Sequence, residues 1–195
     1  MDVFGKVLKD HFIGRKRGKL WLHNNYGEPE EMPVDVFFRS ETKLTELEKM
    51  ALDLCTGSTL DIGAGVGSHA LLLQRKGIDV TAIEQSKQAC EIMKLRGLKQ
   101  VINMDIMQYS SARYDTLLMM MNGIGLCQDI EGLHKFLDHL KNLIAPGGKV
   151  VFDSSDIAYL YINDDFLPKN YYGEISYRYE YQNIKGPWFK WLYID

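Results

Sequence analysis

The chain has 195 residues, 46% of them hydrophobic and 25% charged, with a formal net charge of −3 at pH 7. This length and composition predict one globular domain with a sizeable core. The weak negative charge argues against a protein built mainly to bind nucleic-acid phosphates, and we find neither a signal peptide nor an apolar run of membrane-spanning length. The three scattered cysteines, Cys55, Cys90 and Cys127, form no C-x-x-C pair, which argues against a disulfide framework or a zinc site and predicts a reducing, cytoplasmic location.

The N-terminal part of the chain combines one predicted helix with a segment that lacks a regular pattern. Residues 2–12 carry apolar side chains at helical spacing and predict a short amphipathic helix. The basic cluster that follows, residues 14–19, is short, so we interpret it as a solvated loop rather than as a phosphate or RNA contact. Pro29 and Pro33 break regular structure, and residues 20–39 are therefore predicted to be irregular.

The middle of the chain begins with a helix, a short strand and a glycine-rich turn. The pattern predicts helix 43–54, strand 58–62 and helix 67–76. The predicted inward face of the first of these helices consists of Leu44, Leu47, Met50, Ala51 and Leu54. Glycines in the turn allow positive φ angles and let a ligand approach the backbone closely. The unpaired amides at the start of the next helix suit a polar or anionic ligand group, although a tight turn with nothing bound would show the same pattern.

Three glycines define this turn: Gly63, Gly65 and Gly67. Their G-x-G-x-G spacing differs from the dinucleotide fingerprint G-x-G-x-x-G, whose last position is held here by a serine, and no P-loop lysine follows. Together with Asp61 they form acid-x-Gly-x-Gly-x-Gly at the end of a strand, which resembles motif I of the class I S-adenosylmethionine-dependent methyltransferases. The resemblance implies that Asp61 and the backbone of the turn, including Ala64, face the amino-acid end of the cofactor.

Residues 78–83 predict the second strand of this unit, and Glu84 stands at its end. Glu84 lies about twenty residues after the glycine turn. At this spacing nucleotide-binding βαβ units place an acid that accepts hydrogen bonds from both ribose hydroxyls. The alternative is a glutamate favoured at a helix N-terminus by the helix dipole. NAD enzymes and methyltransferases share this acid, so it does not separate them. Gln85, the next residue, is assigned to the same cofactor site.

An aspartate at the end of the third predicted strand does separate the two cofactor classes. Ser86 is predicted to cap helix 87–96, and strand 101–106 follows. Asp105 in this strand resembles the methyltransferase residue that accepts the adenine amino group, with the backbone amide of Ile106 on the adenine ring. A carboxylate suits this role because the amino group is a donor. The ordered series of glycine turn, ribose acid and adenine acid therefore favours S-adenosylmethionine over NAD.

The remaining core elements complete an alternating pattern of strands and helices. Residues 114–121 form a near-continuous apolar run, typical of a central parallel strand covered on both faces. Asn122 follows, and we expect it either to hydrogen-bond the cofactor or substrate or to be a satisfied turn residue. Helix 130–144, a Pro-Gly-Gly turn and strand 149–153 again resemble the same family. The predicted fold class is α/β, a Rossmann-like, doubly wound and mainly parallel sheet with flanking helices.

More than half of the aromatic residues lie between residue 155 and the end of the sequence. Residues 174–182 alternate apolar and polar side chains and 188–194 form a second such segment, which predicts a C-terminal antiparallel hairpin. The family normally ends in a helix and a hairpin that complete a seven-stranded sheet. The predicted hairpin is either that final pair of strands or an added substrate-side hairpin on a chain that stops before them, and we favour the second. Its aromatic residues could line a substrate wall or serve ordinary sheet packing.

The resemblance divides the predicted single domain into three parts. Residues 1–42 are the N-terminal helix and lid-like segment, 43–153 the cofactor-binding core, and 154–195 the aromatic-rich hairpin. In this family an N-terminal segment often covers the cofactor, so the two phenylalanines before Arg39 are expected either to cover it or to pack on the domain. Arg39 itself is predicted to reach the cofactor carboxylate through a charge-assisted contact.

The predicted function is methyl transfer from S-adenosyl-L-methionine to a small-molecule acceptor, with S-adenosyl-L-homocysteine as product. The protein would act mainly by aligning the nucleophile with the methyl group, an effect that reaches ~7–11 kcal/mol. A general base can assist, and His69, His134 and Tyr159 are candidates that the sequence does not rank.

Several alternatives stay open at this stage. They are an RNA or protein methyltransferase, a nucleotide-binding oxidoreductase and a non-catalytic cofactor-binding module. No Asn/Asp-Pro-Pro-aromatic motif follows the fourth strand, which argues against planar amino groups such as those of adenine or glutamine as acceptors. The sequence predicts neither a membrane partner nor a metal, and it leaves the oligomeric state undetermined.

Overall fold

The computed structural model describes residues 2–15, 17–161 and 171–195. Five α-helices lie in the described part of the chain: α1 Val3–Phe12, α2 Glu46–Leu54, α3 Ser68–Arg75, α4 Lys87–Leu95 and α5 Ile130–Leu143. Its strands are β1 Leu20–Asn24, β2 Glu30–Met32, β3 Thr59–Ile62, β4 Val80–Glu84, β5 Gln100–Asn103, β6 Tyr114–Met119, β7 Ile144–Phe152, β8 Glu174–Tyr181, β9 Ile184–Lys185 and β10 Phe189–Leu192. The predicted helices and strands between residues 43 and 153 are all present, with ends shifted by a few residues. The turn expected at Pro-Gly-Gly is wrong, because β7 begins directly after α5 and includes those three residues.

The first of two sheets is parallel and forms the centre of the molecule. Its strand order is β5-β4-β3-β6-β7, and every neighbouring pair in it is parallel. Successive side chains of a strand face opposite sides, so Leu117 packs in the core beneath α5 while Leu118 packs with α3 on the other side. Helices thus cover both faces, and the predicted doubly wound Rossmann-like fold is confirmed. Strand order changes direction at β3, which is where ligands of such sheets bind.

The second sheet is antiparallel and joins the two ends of the chain. Its order is β10-β8-β1-β2, with β9 also paired to β8. The C-terminal hairpin was expected, and it does not extend the parallel sheet. The expectation of an irregular segment over residues 20–39 is wrong, because that segment contains β1, β2 and a 3-10 helix at Val34–Phe38. β1 forms by pairing with β8, Leu20 opposite Tyr181, and such distant pairing leaves little trace in the local pattern.

The predicted apolar face of α2 is only partly correct. Leu44 and Ala51 are buried, but Leu47, Met50 and Leu54 are each more than half exposed. The buried stripe is rotated toward Glu48, which is 3% exposed although it carries a charge. Its burial follows from the ion pairs described below, which the helical pattern of apolar residues does not reveal.

Three further properties of the described residues bear on function. None of the helices in this part of the chain is both long and apolar enough to cross a membrane. The same residues contain no group of three or more His, Cys, Asp or Glu side chains placed to hold a metal ion. Cys55, Cys90 and Cys127 are buried and free of disulfide bonds.

Candidate functional site

The glycine turn is held in shape by contacts with its neighbours. The amides of Gly63 and Ala64 donate to the carbonyl oxygen of Ile83 at 3.0 and 3.3 Å, which ties the turn to the end of β4. Gly67 has a φ of 78°, and a Cβ there would lie 2.9 Å from Met93 Cγ, so close packing against α4 requires glycine. At Gly65, by contrast, a Cβ would meet nothing within 4 Å, which leaves open space beside the turn.

Asp61 lies directly under the glycine turn and is 2% exposed. Its Oδ2 is one of the few buried side-chain oxygens of the described residues without a hydrogen-bond partner. Burial raises the pKa of Asp61 to about 6, opposed by the nearby His69 and by the backbone amide of Ala70. An unsatisfied buried carboxylate oxygen is costly, and a cationic donor such as an ammonium group would satisfy it.

Glu84 links the glycine turn to the first turn of α4. Its Oε2 accepts from the amide of Gly65 at 3.0 Å, and its Oε1 accepts from the amide of Ser86 at 2.8 Å. Burial raises the pKa of the Glu84 carboxyl, and these two amides oppose that rise. Gln85, the exposed next residue, lines a cavity of about 270 Å³ together with Phe4 and other residues. The two amides therefore fix the Glu84 carboxylate, and the cavity beside Gln85 is large enough for part of a small ligand.

Two further predicted residues lie at the same edge of the sheet. Asp105 follows β5, is half-buried, and accepts from the amide of Met107 at 2.9 Å through Oδ1. Ile106 is buried and begins a 3-10 helix, so the predicted third strand ends earlier than expected. The carboxyl ends of parallel strands meet at one edge. This edge therefore carries Asp61, Glu84 and Asp105 in the order of the neighbouring strands β3, β4 and β5.

Asn122 stands after β6 and has a left-handed backbone, with φ 56° and ψ 37°. Its amide donates to Asp153 Oδ1 at 2.8 Å, and its Oδ1 accepts from Ser155 Oγ at 2.9 Å. Burial raises the pKa of Asp153, against the hydrogen bonds from the amides of this turn. These bonds give Asn122 a satisfied turn geometry at the ends of β6 and β7.

Arg39 lies beside an unexpected buried acid, Glu48. Its Nε donates to the carbonyl oxygen of Val36 at 2.9 Å and its Nη2 pairs with Glu48 Oε1. His69 Nε2 lies 2.9 Å from the same oxygen. Burial pushes the pKa of Glu48 upward, but the bonds from His69 and Thr45 and the Arg39 charge outweigh it and lower the pKa to about 2.

Sequence reasoning missed this ion-pair cluster, which consists of Arg39, Glu48 and His69. A usable signal was present: Thr45-x-x-Glu48 is a capping box, and both of its reciprocal bonds form at the start of α2. His69 is therefore tied to Glu48 rather than exposed to a substrate. The other two general-base candidates, His134 and Tyr159, are exposed.

The predicted lid-like segment contacts the glycine turn. Within the 3-10 helix Val34–Phe38, the carbonyl oxygen of Phe37 accepts from Ser68 Oγ at 2.6 Å. The rings of Phe37 and Phe38 pack against a cluster that includes Val66 of the turn. The segment thus lies on the outer side of the turn and the start of α3.

The antiparallel sheet lies over the same carboxyl edge and presents aromatic rings. Phe189 on β10 contacts Tyr177 and Tyr179 on β8, with ring centroids 6.1 and 5.0 Å apart. Trp191 packs against Gly125 in the turn after β6, where any side chain would collide with the indole ring. The amide of Ile194 donates to Ser154 Oγ at 2.8 Å. Together these contacts place an aromatic wall, formed by β8 and β10, against the segments that follow β6 and β7.

Comparison with known proteins agrees with this arrangement. A family model described as a methyltransferase domain matches residues 60–152. The structure of a SAM-dependent methyltransferase from Bacteroides fragilis in complex with S-adenosyl-L-homocysteine is 39% identical, with a TM-score of 0.92, over 100% of this chain and 81% of that chain. A search of curated proteins gave no match.

More distant structures share the fold alone. The CcbJ methyltransferase from Streptomyces caelestis is 14% identical with a TM-score of 0.59, over 76% of this chain and 73% of that chain. An S-adenosylmethionine-dependent methyltransferase from Clostridium acetobutylicum is 16% identical with a TM-score of 0.53, over 75% of this chain and 70% of that chain.

The parallel sheet with its glycine turn, together with these comparisons, defines a Rossmann-like methyltransferase. The chain belongs to the class I S-adenosylmethionine-dependent methyltransferase family. It is an enzyme of this kind, and S-adenosyl-L-methionine is its cofactor. The oxidoreductase and non-catalytic alternatives are thereby set aside.

Proposed function

We propose that this protein transfers the methyl group of S-adenosylmethionine to a small-molecule acceptor. The observation that carries the proposal is the aromatic wall of β8 and β10, which contacts the segments after β6 and β7 at the carboxyl edge of the sheet. An aromatic-lined site suits a small ligand. An RNA substrate would instead favour an open basic groove, and the net charge of −3 gives no support for one. An RNA or a protein acceptor remains the alternative.

The cofactor fits the residues at this edge. The open space beside Gly65 can receive it, and the unpartnered Oδ2 of Asp61 can accept from its ammonium group. We propose Glu84 for the ribose hydroxyls, and Asp105 with the amide of Ile106 for the adenine ring. The remaining proposed contacts come from the turn and its surroundings: Gly63, Ala64, Gly67, Gln85 and Asn122.

Arg39 is the proposed partner of the cofactor carboxylate. A guanidinium group has five N–H donors, and the contacts with Val36 and Glu48 use only part of them. Glu48 would then hold the guanidinium in place, since the carboxylate is fixed by Thr45 and His69. In this proposal Arg39 is a binding residue and Glu48 positions it.

The bound cofactor supplies an electrophilic methyl group on a positively charged sulfur. The chain itself contributes alignment and exclusion of water, and alignment alone reaches ~7–11 kcal/mol in favourable cases. The 3-10 helix at Val34–Phe38 is the proposed cover of the glycine turn, because the Phe37 carbonyl oxygen accepts a hydrogen bond from Ser68 Oγ at the edge of that turn.

The division into lid-like segment 1–42, core 43–153 and hairpin 154–195 remains a proposal. So does a cytoplasmic location, which the three free cysteines support.

The function is tested by measuring cofactor binding and product release separately. Calorimetry should show binding of S-adenosylmethionine and S-adenosylhomocysteine and no comparable response to NAD or NADP. Release of S-adenosylhomocysteine is then followed with a small-molecule library, total RNA and a peptide library. Turnover with small molecules alone is the expected result. Turnover confined to RNA or to peptides would reject the proposed acceptor class while leaving the family assignment intact.

Cofactor affinity should fall as pH is lowered through about 6, the raised pKa of Asp61. Above this pH the carboxylate is ionised and attracts the cofactor ammonium group, and below it the protonated acid cannot. Calorimetry with S-adenosylhomocysteine between pH 7.5 and 5.5 measures the effect. An Asp61→Asn variant should bind more weakly and without this slope. If the variant keeps the slope, Asp61 is not the group responsible.

A further inference from the structure

Two rings of the aromatic wall lie on one strand and face the same way. Phe189 and Trp191 on β10 are two residues apart, so their side chains share one face of the antiparallel sheet. Their ring centroids are 6.2 Å apart, at an interplanar angle of 80°. Across the ladder, Phe189 lies opposite Tyr177 and Trp191 lies opposite Ile175, both on β8. The two rings therefore form one continuous part of the wall.

Trp191 contacts the 3-10 helix after β6, Gly123–Cys127, and this helix contacts the glycine turn. A Cβ on Gly125 would overlap Nε1 and two carbons of the indole ring, so the ring lies directly on the backbone of Gly125. The side chain of the next residue, Leu126, comes within 2.9 Å of the position that a Cβ on Gly63 would take. Two neighbouring residues thus connect the indole to the first glycine of the turn.

The neighbours of Trp191 hold β10 in this place. Leu192 is 0% exposed and packs in the buried cluster that also contains Ile62 of β3 and Ile124. On the other side, Lys190 Nζ pairs with Asp129 Oδ2 at 2.9 Å, at the start of α5. The residue before Trp191 and the residue after it are therefore both anchored to the part of the molecule that carries the glycine turn.

The other ring, Phe189, lies toward the proposed ribose acid. Phe189 lines the cavity of about 270 Å³ together with Gln85, the residue that follows Glu84. Two residues of a strand span about 7 Å, so this short stretch of β10 extends from the cavity beside Gln85 to the turn after β6.

The reacting methyl group lies within this interval if the proposed cofactor contacts are correct. In that proposal Glu84 binds the ribose and the glycine turn binds the amino-acid end of S-adenosylmethionine. The sulfur atom joins these two parts covalently, and it therefore lies between them. Phe189 on the ribose side and Trp191 on the glycine side border the space in which the acceptor must meet the methyl group.

The ring faces of this part of the wall carry no cation. Arg178 lies over the Trp188 ring at 4.7 Å, and Lys19 lies over the Trp21 ring at 5.7 Å. Within residues 2–15, 17–161 and 171–195, no contact of this kind involves Phe189 or Trp191. A flat, neutral ring suits such a surface, because aromatic rings attract one another in stacked and edge-to-face pairs.

We propose that the methyl acceptor is a planar aromatic small molecule whose ring packs against the indole of Trp191. This inference rests on the proposed function and names the acceptor class for it. The indole fixes the plane of the acceptor relative to the methyl group, and alignment is the main contribution that the chain makes to the reaction. Trp191 is thus a specificity-determining residue.

The transfer itself follows from the chemistry of the two partners. A nucleophilic atom on the aromatic ring, such as a hydroxyl oxygen, supplies the electron pair for its new bond to the methyl carbon. The C–S bond breaks at the same time and its electrons neutralise the sulfur. The proton of the hydroxyl group passes to water.

Binding is tested with two ligands of one skeleton in the presence of S-adenosylhomocysteine, which prevents turnover. Calorimetry at pH 7 compares 2-naphthol with decahydro-2-naphthol, whose saturated rings bury at least as much apolar surface. We expect 2-naphthol to bind about ten-fold more tightly, within the range of aromatic pairing. Trp191→Leu should abolish the preference, and Trp191→Phe should retain part of it. Trp188→Leu is the matched control and should keep all of it, because Trp188 is 51% exposed and pairs with Arg178.

A second variant tests the same contact and keeps the tryptophan. A Cβ in Gly125→Ala would displace the indole, so this variant should also lose the preference. S-adenosylhomocysteine affinity is measured in the same samples and should be unchanged in all variants, which shows that each is folded. If Trp191→Leu fails this check, Gly125→Ala and Trp191→Phe decide the point.

Three results would overturn the aromatic assignment. The first is equal or tighter binding of the saturated ligand, and the second is a preference that survives both Trp191→Leu and Gly125→Ala. The third is a loss in Trp191→Leu that affects S-adenosylmethionine but not S-adenosylhomocysteine and leaves the ligand preference intact. That result would mean that the indole serves the positive charge of the sulfonium.

Turnover separates this inference from the proposed function. Release of S-adenosylhomocysteine is followed with aromatic alcohols, thiols and amines and with their saturated counterparts. We expect turnover with aromatic members of the panel, and Trp191→Leu should raise their KM by about ten-fold. Turnover with saturated molecules alone would reject the aromatic class and leave the proposed function standing. Turnover confined to RNA or to peptides would reject the proposed function itself.

Discussion

Replacing Glu48 by alanine is expected to lower the free energy of unfolding by about 3–5 kcal/mol, the usual cost of removing one partner from a buried ion pair. Glu48 is 3% exposed and contacts both Arg39 and His69. Its loss leaves the guanidinium and the imidazole without their acceptor and opens the capping box at the start of α2. Urea unfolding at pH 7 measures the change.

The lowered pKa of Glu48 predicts that its contribution to stability depends on pH. The pKa of Glu48 falls from 4.5 to about 2 on folding, which corresponds to about 3 kcal/mol. A carboxyl whose pKa is lowered stabilises the fold fully above its unfolded value and loses that contribution as pH falls through the folded value. The difference between the unmodified protein and Glu48→Ala should therefore be smaller at pH 3 than at pH 7.

The control for this effect lies on the same helix. Glu46 pairs with Lys49 at 2.6 Å, but both side chains are solvent-exposed, and exposed pairs contribute at most about 1 kcal/mol. Glu46→Ala should thus change stability little at either pH. If Glu48→Ala is equally mild, the ion-pair cluster is not structural, and Glu48 would serve only to position Arg39.

Glu84→Ala is expected to weaken cofactor binding by about 2–3 kcal/mol, as for hydrogen bonds to a charged group, or about 30- to 150-fold in affinity. The proposed reason is loss of the two bonds from the ribose hydroxyls. The structure gives a second reason for weaker binding, because Glu84 also accepts hydrogen bonds from the amides of Gly65 and Ser86. Without the Glu84 carboxylate, the glycine turn loses a support that shapes the site. Calorimetry with S-adenosylhomocysteine measures the loss.

Two further variants separate these reasons. Glu84→Gln keeps a carbonyl oxygen for one backbone amide and should bind with intermediate affinity. Glu91→Ala on α4 removes an exposed acid that pairs only loosely with Lys9, at 3.6 Å, and should bind normally. Unchanged cofactor affinity in Glu84→Ala would return Glu84 to the alternative role of a helix N-terminal acid favoured by the dipole.

The acid-lined carboxyl edge of the parallel sheet could be predicted from the sequence because its signals are local. Three residues each follow a short apolar segment of the sequence. They are Gly63, the acid at the end of β4 and the aspartate after β5. Parallel strands carry their carboxyl ends to one edge, so the order along the chain becomes an order in space. The sequence pattern, with its resemblance to a known family, thus predicted the central sheet and the class of cofactor.

The remaining parts depended on contacts between distant segments. β1 is a strand because Leu20 pairs with Tyr181, and two prolines nearby made the segment look irregular. Glu48 is buried because Arg39 and His69, from two other segments, converge on it. The local pattern of apolar and polar residues does not reveal such pairings, since each partner alone resembles an ordinary surface residue.

By itself, the sequence determined a Rossmann-like core and the order of the acids at its carboxyl edge, since both follow from short-range apolar periods and glycine spacing, and its resemblance to a known family indicated the cofactor. Only the tertiary structure decided how the two ends of the chain form one antiparallel sheet over that core. It also decided that Tyr26 and Tyr177 meet edge to face, with ring centroids 6.4 Å apart. Their meeting requires strand pairing across most of the chain, and that pairing is fixed by packing rather than by local sequence.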